Sequence, residues 1–149
     1  MDFGFSIKLS DNNTKVAKEQ LEKEKLRILR LWGSKAVEKS VDAISGNAGI
    51  PSAVDTGRLR ASISYILPDG QKGDSGLITS NQQAGDKLSG KSEEDSVFVG
   101  SNVDYAIYVH EGTGSGDSEI PARPFLRLGI DNMKEDAEEI AERVLKGEI

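Results

Sequence analysis

Asp55, Thr56 and Gly57 form the string with the clearest chemical meaning in the chain. An Asp-Thr-Gly triplet supplies the catalytic carboxylate of retroviral-type aspartic proteases, in which two carboxylates share one proton. A single chain would have to form a homodimer to do that chemistry. In such enzymes the triplet follows an apolar strand and precedes a small or hydroxyl residue, whereas here Pro51-Ser52-Ala53-Val54 precedes it and Arg58-Leu59-Arg60 follows. The competing role is structural. Asp55 caps a helical turn by accepting from the backbone of Gly57 or Arg58, and Gly57 lets a neighbouring backbone approach. Mutation separates the two roles. If Asp55 is a cap, Asp55→Asn keeps the fold and Asp55→Ala loses about 1 kcal/mol in a thermal melt. If it is catalytic, Asp55→Asn abolishes peptide cleavage.

His110, followed by Glu111, is the only histidine. A two-histidine metal site and the paired-histidine zinc-protease motif are therefore excluded within one chain. With Glu111 as its only evident orienting partner, it singles out no serine or threonine nucleophile. Gly112, Gly114 and Gly116 alternate without a following Gly-Lys-Ser/Thr, which reads as a flexible loop and not a phosphate cradle. Asp69, Asp74, Asp86 and Asp95 lack the spacing of an EF-hand. With no cysteine, neither a disulfide nor a thiolate site arises. The expectation is a chain without catalytic residues, cofactor or metal.

The elements that would position these residues follow from periodicity. Phe3, Phe5, Ile7 and Leu9 alternate with small or polar residues and predict a strand over residues 2–9. Asn13 or Thr14 can cap a long helix ending near Ile44, with Leu21, Ile28, Leu29, Trp32, Ala36 and Ala43 on one face. Leu26, Val37 and Ile44 fall on another, which predicts two packing partners. Residues 45–53 read as a loop. The Asp55 string then leads through a short turn or helix into a strand bearing Ile63, Tyr65 and Leu67, closed by the turn Pro68-Asp69-Gly70. Residues 71–95 offer only Leu77, Ile78 and Leu88 to bury and predict a mobile hairpin or loop. Residues 96–100 are a further strand.

Asn102 or Asp104 can cap a short helix with Tyr105, Ala106, Tyr108 and Val109 on one face, ended by Gly112, and a Gly/Ser/Asp loop starts at Thr113. Pro124 suits the first turn of a final helix whose stripe is Leu126, Ile130, Met133, Ala137, Ile140 and Val144, with Gly147 as C-terminal cap. The whole predicts one α+β domain over residues 1–149: an antiparallel sheet packed against a long N-terminal helix and a C-terminal helix.

Composition bounds the partners. The 149 residues carry 25 acidic and 19 basic side chains, a net charge of -6, so the chain on the whole repels a phosphate backbone. Sequence-specific nucleic-acid binding is not expected. Lys23, Lys25, Arg27 and Arg30 crowd one region, but Glu19, Glu22 and Glu24 interleave with them as on a solvated helix face. Neither a leader pattern nor an apolar run of membrane-spanning length is present, so the expectation is a soluble, unsecreted chain with no membrane contact.

Three strings carry a resemblance. They are Asp55-Thr56-Gly57-Arg58-Leu59-Arg60-Ala61-Ser62-Ile63, then residues 99–114 with Tyr105, Ala106, Val109, Glu111, Gly112 and Thr113, then Pro121-Ala122-Arg123-Pro124-Phe125-Leu126-Arg127. In order and spacing they resemble the tail-component, or head-tail joining, family of long-tailed bacteriophages. The resemblance takes in the charged N-terminal and acidic C-terminal helices. It departs at residues 71–95, which read as an expanded hairpin, and at His110-Glu111-Gly112, where an acidic residue, an aromatic residue and glycine are more usual.

The resemblance implies a structural subunit of the neck. Such a subunit forms a homo-oligomeric ring between a portal-bound adaptor and the tail tube or tail terminator. It resides in the virion at the head-tail junction and in the host cytoplasm during assembly. Pro124 would start the last helix, Phe125 anchor it in the core, and Arg123 pair with Asp104 or Glu111.

Overall fold

The structure, a computed structural model, describes residues 2–8, 18–46, 57–113 and 121–149. The cap expected at Asn13 or Thr14, most of the loop expected over 45–53, and Asp55 and Thr56 lie outside those residues.

Alternation builds the sheet as expected. Strand β1 (Phe3–Lys8) runs antiparallel to β4 (Ser96–Ser101), pairing Phe5 with Val99 and Ile7 with Val97. Strand β2 (Ser64–Ile66) pairs with the other side of β4, placing Tyr65 opposite Val99, and β3 (Lys72–Asp74) closes the order β1-β4-β2-β3. Because successive side chains alternate, Phe3, Phe5, Ile7, Tyr65, Val97 and Val99 share one face. The fold is thus α+β, with the helices on that face.

Helix α1 (Lys18–Ile44) buries Ile28, Leu29, Trp32, Ala36, Val37, Ala43 and Ile44 in one cluster. The two apolar faces expected of it merge into one wide face, leaving Leu26 outside at 41% exposure. Its two packing partners are both internal. One is the sheet, approached so closely that a Cβ added to Gly33 would lie 2.7 Å from the Tyr65 ring and 2.9 Å from Val97. The other is helix α4 (Phe125–Leu145), where Trp32 Nε1–H donates to the Ala137 carbonyl at 3.0 Å.

The two helices cross at Gly129, whose added Cβ would lie 2.6 Å from the Ser40 backbone nitrogen. Backbone cannot yield as a side-chain tip can. Gly129→Ala should therefore destabilise by about 1–2 kcal/mol, because overpacking of 1–3 kcal/mol outweighs the roughly 1 kcal/mol of helix propensity that alanine returns. A variant melting above the parent would show that the crossing has room.

Helix α4 is about 30 Å long at 1.5 Å per residue. Leu126, Ile130, Met133 and Val144 of its predicted stripe are buried, and Ala137 and Ile140 pack half-buried against the same cluster. Gly147 ends it at φ 75, with the Glu148 N–H donating to the Arg143 carbonyl at 2.9 Å and the Gly147 N–H to Val144 at 3.0 Å.

Within the 71–95 segment, β3 forms the hairpin half of the expectation. The turn is held by the Gly70 N–H on the Leu67 carbonyl at 3.0 Å and the Gln71 N–H on Asp69 Oδ1 at 3.0 Å. Residues 75–95 have no regular element, yet they are fastened to the sheet. Ser64 and Ile66 point away from the Tyr65 face, and Leu88, fully buried, donates its N–H to Ser64 Oγ at 2.9 Å. Ser92 bonds both the Leu67 and Ser96 carbonyls.

Candidate functional site around the third helix

Helix α2 (Arg58–Ser62) starts where Gly57 adopts φ 75. Among the described residues a Cβ there would meet nothing closer than the Thr79 side chain at 3.6 Å, and the left-handed turn is what calls for glycine. Leu59 sinks into the core and turns Arg58 outward.

The Arg58 guanidinium grips Asp86 with both arms, Nε to Oδ2 at 3.0 Å and Nη2 to Oδ1 at 2.8 Å. Asp86 Oδ2 also accepts the Gln83 N–H at 2.9 Å. The Arg58 bond, partly offset by burial, holds the Asp86 carboxyl below the usual range. Arg58 also lies 5.7 Å from the centre of the Tyr105 ring, which ties the first string to the second.

Helix α3 (Ala106–Glu111) departs from expectation at its start. Neither Asn102 nor Asp104 caps it. Its N-cap position is Tyr105, and Asn102 is spent on the loop, its side chain donating to the Gly85 carbonyl at 2.7 Å and its N–H to the Asp86 carbonyl at 2.9 Å. The inward pair is Ala106 and His110, one turn apart, while Tyr105 and Val109 are half-buried and Tyr108 is 57% exposed. Gly112 ends the helix as expected, at φ 79 with its N–H on the Tyr108 carbonyl at 2.9 Å, and Thr113 follows half-buried.

His110 is the centre of the site. Its ring is 0% exposed and lies 5.1 Å from Phe3, 5.6 Å from Phe5 and 5.3 Å from Phe125, centre to centre. The Nε2 atom accepts the Arg127 backbone N–H at 3.2 Å, so the proton sits on Nδ1 and is donated to Glu111 Oε1 at 2.6 Å. Burial pushes the imidazole below its ordinary pKa, and Glu111 only partly offsets this.

Both nitrogens are thus engaged, and the task of Nε2 is capping. Pro124 stands at the N-cap position of α4 instead of inside its first turn, and a proline side chain has no acceptor. His110, sent across from α3, accepts from the third residue of α4, where a serine or aspartate cap would accept.

Phe125 is the buried anchor that the sequence suggests. Arg123 is not the ion-pair partner of Glu111 or Asp104: among the described residues it forms no ion pair, and its Nε is buried without a hydrogen-bond partner. Arg127, in the first turn of α4, reaches Glu111 instead, Nη2 to Oε1 at 3.3 Å. The Arg123 backbone does the joining, its N–H on the Val109 carbonyl at 3.0 Å.

The sequence reading passes over three buried serines. Ser62 Oγ donates to the Leu59 carbonyl at 2.6 Å and lies 2.6 Å from Ser101 Oγ, which accepts the Val103 N–H at 3.1 Å. With Ser64 they stitch α2, β2 and β4 together. Serine hydroxyls in strand-like alternation leave no mark that periodicity could detect.

Among the described residues no group of three or more His, Asp or Glu is arranged to hold a metal ion, and no helix is long and apolar enough to cross a membrane. Comparisons with family models, with curated proteins and with solved structures each find no match.

Proposed function

We propose that the chain is a structural subunit of the head-tail junction of a long-tailed bacteriophage. Copies of it assemble into a ring between the portal-bound adaptor and the tail tube or tail terminator. The observation that carries this reading is convergence. The three separate strings that resemble neck proteins meet around α3, through Arg58 against Tyr105 and through His110 and Glu111 against Arg127. Each side chain there is spent on joining elements, as a rigid ring component requires.

The charge supports the same reading. On α4, Asp131, Glu135, Glu138, Glu139 and Glu142 are exposed. Acidic surface along a DNA passage would repel the duplex and let it slide. Electron micrographs of the purified protein are expected to show closed rings, and a phage lacking it should accumulate filled heads and unattached tails. Joined, infectious particles without the protein would refute the proposal.

A further inference from the structure

We infer that the solvent ridge of α1 is a two-fold docking surface for a second copy of this chain. At steps of four, Leu26, Arg30, Ser34, Glu38 and Asp42 are all exposed, and Arg27 is exposed beside them. Such a row is the ridge by which helices pack on one another. Its chemistry is antisymmetric about Ser34: one apolar and two basic residues lie before it, two acidic residues after.

Turned antiparallel about an axis through Ser34, two copies set Arg30 against Glu38 twice and Arg27 near Asp42 twice. The small serine at the axis lets the helices approach. The same operation carries Leu26 to the far end of the partner's ridge. There, Val37, Val41 and Leu77, with Ser34 and Ser75, line an open groove of about 330 Å³ bordered by Glu38, Asp42 and Asp74. At 41% exposure Leu26 is one of only three large apolar side chains exposed among the described residues.

Among the described residues the ion pairs of these charges are loose, Arg27 to Glu24 at 3.8 Å and Lys35 to Glu38 at 3.6 Å, both partly exposed and of small worth. A ridge that complements itself makes an isologous contact, whereas a ring repeats a head-to-tail contact between different patches. This dimer is therefore independent of the ring reading.

The chain has no cysteine, so a single engineered thiol reports on the contact. Ser34→Cys protein treated with a short bis-maleimide should give covalent dimer at least about tenfold faster than Tyr108→Cys, a comparably exposed position on α3. In sedimentation, Arg30→Glu and Glu38→Arg should each weaken self-association about tenfold, since each alters two symmetric contacts, and the double variant should regain most of the loss. Equal cross-linking at the two positions, a double variant as weak as the singles, or a wild-type protein that stays monomeric would each overturn the inference. Rings without a Ser34 cross-link would remove this dimer and leave the neck reading intact.

Discussion

Asp86→Ala is expected to lower stability by about 2 kcal/mol and to open residues 75–95 to proteolysis. Asp86 is 4% exposed and holds both arms of Arg58 and the Gln83 N–H. Removing Asp86 takes away a bidentate, charge-assisted pair with Arg58 and leaves the Gln83 N–H without its acceptor. The other anchors of the 75–95 segment, among them Leu88, Ser92 and the Asn102 bonds to the Gly85 and Asp86 carbonyls, hold its backbone, so the opening is expected near Gln83 and Asp86. Asp74, which meets Lys87 at 2.8 Å with about a third of each side chain exposed, is the internal control, and Asp74→Ala should cost under about 1 kcal/mol. Urea titrations give the two numbers, and limited digestion locates the opening. An Asp86→Ala protein that melts with the parent and is first cut elsewhere would show that the loop is held by its other anchors alone.

Periodicity made the architecture legible because each regular element buries one continuous stripe. The alternation of Phe3, Phe5 and Ile7, the long face of α1 and the steps of four and three along α4 are signals repeated several times within one element. The site was legible only as strings. Arg58, Tyr105, Glu111 and Phe125 stood in them, but the partner of each depends on one contact across 16 to 28 residues or more, which no period records.

The choice of Arg123 over Arg127 as partner for Glu111 shows the difficulty. Arg123 lies just before α4 and Arg127 in its first turn, and four residues of sequence separation do not say which of them meets Glu111. Gly33 and Gly129 were hidden for another reason. In sequence a helical glycine looks like a weakness, and its use appears only when Tyr65 and Ser40 are seen pressed against it.

His110→Ala should be the most damaging single change at the site, costing about 3–5 kcal/mol. It empties a sealed space between Phe3, Phe5 and Phe125 and leaves the Arg127 N–H without its acceptor, so a cavity cost adds to an orphaned donor. His110→Gln keeps an acceptor and more of the volume and should lose less. The same geometry fixes a pH dependence. A proton on Nε2 would confront the Arg127 N–H and place a buried cation near the Arg127 guanidinium, so the folded state resists protonation and the folded pKa lies below the ordinary value. The unfolded histidine titrates near 6.5, so between that pH and the lower folded pKa the unfolded chain binds more protons. Stability is then full above about pH 7 and falls as pH drops through that window, by up to about 1.4 kcal/mol per pH unit. Asp74 and Asp86, both with lowered carboxyl pKa values, lose their contribution only at more acidic pH, below about 4. Melts of wild type and His110→Gln at about pH 7.5 and about pH 5.5 isolate the histidine, because glutamine does not titrate. The wild type should lose stability over that interval and His110→Gln should not; equal losses in the two proteins would assign the acid sensitivity to other groups.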